Sequence, residues 1–221
     1  DMRKLPIELP PFLSGKRLLT TQTFRNLFRS EVIKGTESLS VKSITLLFTD
    51  LKGSTALYDQ IGDLKAFALV QQHFESLGCI VQKHAGAIVK TIGDAVMATF
   101  LDPVSGVKAA LEMLEDIEAF NQEHGSRDLI LKIGLHHGPS LAVTSNDRLD
   151  YFGQTVNVAS RVQGLADAEE IYLTREVYDY PGVKALLDGL AVTSRKAALK
   201  GIQSHMEVFR LAPRTAAGRF A

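Results

Sequence analysis

The chain has 221 residues, 45% hydrophobic and 23% charged, with Lys plus Arg and Asp plus Glu equal at 25 each. That is the composition of one ordinary globular domain with a short appendage, and it offers no global field for nucleic acid or an anionic membrane. Cys79 is alone, which excludes an internal disulfide and a cysteine-based zinc site, and no apolar run approaches the roughly 20 residues of a membrane span.

The start, Asp1-Met-Arg-Lys-Leu-Pro6, lacks the apolar region of a secretory signal, so a reducing cytosol is the expected location. An opening on Asp1-Met2 leads us to expect that the natural chain extends upstream. Pro6, Pro10 and Pro11 predict an extended lead-in. Phe24, Leu27, Phe28 and Val32 follow helical spacing and predict a short amphipathic helix. Gly35-Thr-Glu-Ser-Leu-Ser40 reads as a linker. Residues 1–41 are thus expected to be an N-terminal extension, regulatory or connecting, that packs on the main domain or on a partner. Residues 42–211 form the expected main domain, and 212–221 a tail.

From Val41 onward strands and helices alternate. Ser43–Thr49 is a β-rich run suited to a buried central strand. After Asp50, a turn through Gly53 leads to a helix with Ser54 or Thr55 as N-cap. Phe67, Val70, Phe74, Leu77 and Val81 mark a longer helix. Strands over Ala87–Thr91 and Ala95–Phe100 are joined tightly at Gly93-Asp94. Val104, Val107, Leu111, Leu114 and Ile117 mark a second amphipathic helix, ending near Gly125. A strand over Leu129–Leu135, a helix over Thr155–Leu165 and a strand over Ile171–Leu173 follow. Ala191–Leu211 predicts a final strand pair around Lys200-Gly201. The order β-α-β-β-α-β predicts an α+β fold on the ferredoxin-like unit, extended by that C-terminal pair.

Several side chains could carry chemistry. Asp50 and Asp94 each end a β-type run, a position that is also ordinary turn chemistry. Neighbouring strands could bring both to a hard divalent cation, which favours one or two carboxylates plus phosphate oxygens. The backbone N–H groups of Leu51, Lys52, Gly53, Ser54 and Thr55, opening a helix, offer an anion site, and Gly53 permits close approach. Lys90 is either a solvated edge lysine or a donor to a nucleobase. Asp150 could accept from an exocyclic amine, favouring the N6 amine of adenine over the O6 carbonyl of guanine. Asn157 and Arg161, at i and i+4, project from one helix face. Asn157 could equally be a cap or a buried bridge, whereas the fork of Arg161 suits phosphoryl charge. His136-His137 reads as a packing or solvated pair at a strand end, and Cys79 as a structural cysteine amid apolar neighbours. Neither a phosphate-binding Gly-x-x-x-x-Gly-Lys-Ser/Thr loop nor a Gly-x-Ser-x-Gly elbow is present.

Four ordered segments then carry a family resemblance: Leu-Leu-Phe-Thr-Asp50-Leu-Lys-Gly-Ser-Thr, Lys90-Thr-Ile-Gly-Asp94-Ala-Val-Met-Ala-Thr-Phe, Ile-Gly-Leu-His-His-Gly-Pro, and Asp150-Tyr-Phe-Gly-Gln-Thr-Val-Asn157-Val-Ala-Ser-Arg161. In them the chain resembles the catalytic domain of the class III nucleotidyl cyclases, bacterial branch, over about residues 42–211. The resemblance implies two Mg²⁺ or Mn²⁺ ions held by Asp50, Asp94 and the backbone carbonyl of Leu51. It implies that Lys90 and Asp150 read the purine, that Asn157 orients the ribose and that Arg161 stabilises charge on the α-phosphate. It also implies a head-to-tail homodimer whose sites are completed by opposite chains, with ATP converted to 3′,5′-cyclic AMP and pyrophosphate. An upstream sensor domain is a further expected partner, and nucleic acid is not. The chain departs from the family where Phe152 stands in place of a larger ring and where Ile202 follows Gly201 in place of a basic residue. Lys200, Arg195 or Lys196 would have to serve the triphosphate there. The stretch Ser140–Arg148 also lacks the glycine-rich form often seen. A guanylate cyclase and a catalytically silent nucleotide-binding regulator are the alternatives.

Overall fold

Strand β1 (Leu39–Lys52) is buried without a break from Ile44 to Thr49 because it faces apolar groups on both sides. Ile44, Leu46 and Phe48 point into one core, while Leu47 and Leu51 point into another, as the two-residue strand period requires. The structure is a computed structural model that describes residues 13–28, 38–123, 129–145, 148–167, 169–202 and 205–212.

Around β1 the sheet runs β2 (Ala87–Ile92), β3 (Ala95–Phe100), β1, β4 (Ile130–Ser145), β6 (Glu170–Thr174), β8 (Met206–Leu211) and β7 (Val192–Ala197), with β5 (Arg148–Phe152) paired to the far end of β4. β1 is antiparallel to both β3 and β4, and β4 is parallel to β6. The first four strands therefore have the order and directions of the predicted ferredoxin-like unit, and the C-terminal pair β7–β8 extends it. The α+β expectation holds.

One core lies beneath α4 (Asp63–Lys83) and α5 (Pro103–Glu123), with Val70, Leu77, Val107, Met113 and Ile117 buried against the sheet. The short helices α7 (Arg175–Tyr178) and α8 (Val183–Leu186) close its lower end. On the opposite face, α1 (Gly15–Leu19) and α2 (Gln22–Leu27) bring Leu19 and Phe24 onto Phe48, Val89, Met97 and Tyr151. The remaining helices are α3 (Ser54–Ile61) and α6 (Gln154–Gln163).

Several expectations are corrected. Helix α1 and strand β5 were not foreseen. The stripe Phe24–Leu27–Phe28 does not face inward as a unit: Leu27 is 72% and Phe28 45% exposed. The inward face of α2 instead sends Gln22 and Arg25 to strand backbone, so its dominant contacts are polar. Val32, Gly35, the three prolines, Gly125 and residues 213–221 lie outside the described residues. Leu39 and Ser40, read as linker, begin β1. Phe67 is exposed, so the buried stripe of α4 is Ala66, Val70, His73, Leu77 and Val81. Cys79 is exposed and free, not an interior residue. α3 is capped by Gly53 at φ 94°, with no side-chain cap, because Ser54 turns its hydroxyl elsewhere.

His73 sits fully buried on α4, edge-on to Phe120, and neither ring nitrogen has a hydrogen-bond partner. Burial lowers its pKa from 6.5 to about 4, opposed only in part by the charge of Asp116. The folded state thus resists the proton that the unfolded chain takes up below pH 6.5, and stability present above that pH is lost on acidification. We expect His73→Leu to cancel about 2 kcal/mol of the decline in stability between pH 7.5 and pH 5. Urea unfolding midpoints of both proteins at the two pH values measure this.

Candidate active site

The carboxylates of Asp50 and Asp94 are brought to one end of the sheet by the β1–β3 pairing. Phe48 lies opposite Met97, so two further residues along β1 lead to Asp50 beside the β2–β3 turn that carries Asp94. A side chain reinforces the alignment: buried Thr49 accepts a hydrogen bond from Val96 N at 3.1 Å. From the other side, Ser54 Oγ donates to Asp94 Oδ2 at 2.5 Å and ties the first turn of α3 to that same turn.

Asp50 has a partner that sequence reasoning missed. Lys132 lies directly opposite it in the β1–β4 register, and its Nζ forms an ion pair with Asp50 Oδ2. The available signal was a lone charge within the apolar run Leu129-Ile-Leu-Lys132-Ile-Gly-Leu135.

Among the described residues no third His, Cys, Asp or Glu joins a metal-holding cluster. The donor set is therefore two half-buried carboxylates with nearby backbone carbonyls. It fits a hard divalent cation that completes its shell with water and phosphate oxygens, and it is unsuited to zinc.

The expected anion-binding run is shorter than foreseen. Leu51 and Lys52 remain in the β1 ladder, opposite Leu131 and Ile130. The side chain of Lys52 is drawn away to Asp167, at 2.9 Å. Gly53 adopts the left-handed conformation that lets the chain turn into α3. The free N–H groups of the helix start are thus those from Ser54 onward, Thr55 included.

A second constellation joins β2 to β5. Lys90 Nζ contacts Asp150 Oδ2 at 2.6 Å, and Asp150 Oδ1 accepts from Tyr151 N at 2.8 Å. Both oxygens of a nearly buried carboxylate are engaged, yet the side chain of Lys90 remains 40% exposed. β2 and β5 are not paired strands, and each hangs on a different neighbour.

Asn157 and Arg161 lie on α6, Asn157 exposed and Arg161 half-buried, so neither the cap nor the buried-bridge reading of Asn157 applies. α6 rests on β4 at two glycines. A methyl group at Gly134 would lie 2.2 Å from Gln163 N, and one at Gly138 would lie 2.9 Å from Thr155 Oγ1. Thr155 Oγ1 itself donates to Pro139 O. Four strand residues and eight helical residues both span roughly 12–13 Å, so the two contacts fix the helix along the strand.

The guanidinium of Arg161 lies over the Lys200-Gly201 turn, where a methyl on Gly201 would come within 3.3 Å of its Nη2. Gly201 has φ 74°, so the turn both needs glycine and leaves room for the guanidinium. Lys200 is exposed beside it. Arg195 is occupied elsewhere, over the ring of Tyr172 at 5.1 Å. His136 and His137 are mid-strand, not at a strand end, and bond Thr174 at 2.8 Å and Thr45 at 2.9 Å through their Nδ1 atoms.

Comparison with known proteins places these elements in context. The adenylate and guanylate cyclase catalytic domain is matched over residues 36–212. An adenylate cyclase of Anabaena cylindrica is 30% identical over 139 residues, which is 57% of this chain and 28% of that protein. The receptor-type guanylate cyclase gcy-13 of Caenorhabditis elegans is 27% identical over 163 residues, 68% of this chain and 16% of that one. The chain thus spans about a quarter or less of the length of these relatives. In structure it is similar to the adenylyl cyclase CyaB of P. aeruginosa, with a TM-score of 0.70 at 23% identity, covering 81% of this chain and 98% of the other.

The contact at Gly134 allows a direct check of the packing. Gly134→Ala drives a methyl into helix backbone, which cannot swing aside, so we expect a loss of more than about 3 kcal/mol in urea unfolding. Gly78→Ala, in open space on α4, should change stability by less than about 1 kcal/mol, in the favourable direction.

Proposed function

The chain belongs to the adenylate and guanylate cyclase catalytic domain family, and from that premise we propose that it is an adenylate cyclase converting ATP to 3′,5′-cyclic AMP and pyrophosphate. The observation that carries the choice of base is the Lys90–Asp150 pair at 2.6 Å. A donor and a carboxylate acceptor side by side match N1 and the N6 amine of adenine. Against guanine, the same carboxylate would face the O6 carbonyl, an acceptor against an acceptor.

In this reading the catalytic unit spans residues 42–211. Asp50, Asp94 and the Leu51 carbonyl would hold two Mg²⁺ or Mn²⁺ ions. Bound there, the metal supplies charge neutralisation at the triphosphate and acidifies the ribose 3′-hydroxyl. The residues of the chain do the positioning. The N–H groups of Ser54 and Thr55, at the positive end of α3, receive phosphate oxygens. Lys132, paired with Asp50, would be free to donate to a phosphate oxygen once that carboxylate holds a metal. Lys200 lies where the triphosphate tail leaves. Asn157 orients the ribose, and Arg161 donates to α-phosphate oxygens as charge builds there during in-line displacement of pyrophosphate. The carboxylate group and the α6 group belong to opposite chains of a homodimer, as the family resemblance implies, so each dimer holds two complete sites.

Cyclisation assays with ATP and GTP separately, with Mn²⁺ and Mg²⁺, over a range of protein concentrations, test the proposal. We expect cyclic AMP, with specific activity rising as the chain dimerises. Cyclic GMP instead would overturn the base assignment, and no product from either nucleotide at dimer-forming concentrations would overturn the enzymatic reading. Asp50→Ala or Asp94→Ala should abolish metal-dependent turnover. Arg161→Ala should lower kcat by about 10²–10³ with little change in KM. Mixing Asp50→Ala chains with Arg161→Ala chains should restore roughly a quarter of wild-type activity, because half the dimers are then hybrids with one intact site of two.

A further inference from the structure

Strand β2 carries an irregularity just ahead of Lys90. Its register against β3 shifts between Ile88 and Lys90, so Val89 is the extra residue of a bulge. Bulges re-aim the side chains that follow them, and here the next side chain is Lys90. The backbone groups released there are taken by helix α2. Gln22 Oε1 accepts from Ile88 N at 2.7 Å, while Arg25 Nε donates to Ile88 O at 3.2 Å and Arg25 Nη2 to Val89 O at 3.4 Å.

The same Nη2 also donates to Leu149 O at 2.6 Å. Leu149 immediately precedes Asp150 on β5, as Val89 immediately precedes Lys90 on β2. One guanidinium therefore bridges the two unpaired strands at the residues adjoining the base-reading pair. The surrounding contacts hold the bridge in place. The guanidinium carbon lies 5.8 Å from the centre of the Tyr151 ring, and Tyr151 Oη donates to Leu19 O at 3.2 Å, anchoring α1 to β5. Burial raises the pKa of that phenol and keeps it a donor.

Helix docking alone does not account for this arrangement. Arg25 Nη1 is buried without a partner, a cost that an apolar residue at this position would avoid. Leu19 and Phe24 already supply the apolar contact. What the guanidinium adds is a fixed spacing between β2 and β5, because its planar fork sets donor directions as a flexible ammonium cannot.

We propose that Arg25 is a positioning residue for purine recognition: by bracing the backbone beside Lys90 and beside Asp150, it sets the geometry of that pair and couples α2 to nucleotide selectivity. This rests on the assignment of Lys90 and Asp150 as the base readers.

The test measures binding of 3′-deoxy-ATP and 3′-deoxy-GTP, which lack the attacking hydroxyl, to the full chain with Mn²⁺ by calorimetry. We expect Arg25→Ala to narrow the preference for the adenine nucleotide by about fivefold or more, with Arg25→Lys intermediate. Phe24→Ala, which loosens the helix and keeps the bridge, should lower the melting temperature and leave the preference within about twofold of wild type. If Arg25→Ala unfolds the chain, Arg25→Lys and Gln22→Ala carry the test, each expected to narrow the preference in part. An unchanged preference in the Arg25 variants, with Lys90→Ala collapsing it, overturns the role of Arg25 alone. An equal collapse in Phe24→Ala overturns it too, reducing Arg25 to docking. An unchanged preference in both Lys90→Ala and Asp150→Ala overturns the base-reading assignment itself, and the inference with it.

Discussion

The approach of α6 to β4 is the constraint on which the rest of the site depends. Backbone meets backbone at Gly134, and at Gly138 the strand backbone meets the side chain of Thr155. Such contact leaves the helix little freedom to slide or roll, because interiors at native density transmit displacement instead of absorbing it. The positions of Asn157 and Arg161 follow from it. So does the place of the β7–β8 turn, since Gly201 must pass beneath the guanidinium. A helix held by bulkier residues would keep the same topology and place the same side chains a few ångströms away.

The sheet separates two kinds of work. Both of its faces carry an apolar core, the larger one under α4 and α5, whereas the charged groups gather at the margins of the second. Those charges are grouped in compensating sets: Asp50 with Lys132, Asp94 with the Ser54 hydroxyl, Asp150 with Lys90 and its own neighbouring N–H. Pairing offsets part of the desolvation penalty of burying a carboxylate, so these side chains can be held in place without a large loss of stability.

Much of this was legible in the residues, for physical reasons. Strands β1, β3 and β8 are apolar on both faces or alternate cleanly, and α4 and α5 repeat with helical period, so the core read directly. The short turn at Gly93-Asp94 has few solutions. Other elements depend on contacts far away in sequence. β5 is short and contains Arg148 and Asp150, so it reads as a loop until β4 pairs with it. α1 and α2 are too short to form alone and exist by docking. Lys132 stands out locally as a lone charge in an apolar run, but its partner Asp50 lies 82 residues away, and nothing local announces the Arg25–Leu149 contact across 124 residues. Local pattern also misled: Phe67, Leu27 and Cys79 have apolar chemistry and surface positions, because burial depends on which helix face meets the sheet.

A sheet of this kind has two free edges, and the chain protects them by different means. On β7, the outer strand at one end, Arg195 and Lys196 are exposed and discourage pairing with another strand. On β2, at the other end, Ile88-Val-Lys-Thr-Ile92 has high β-propensity and a single charge, and the hydrogen-bonding groups of Ile88 are covered by Gln22 and Arg25. The family match begins at residue 36, after that cover. A fragment trimmed to the matched segment would expose a sticky edge, and its colloidal behaviour would differ from that of the longer chain even with the candidate site retained.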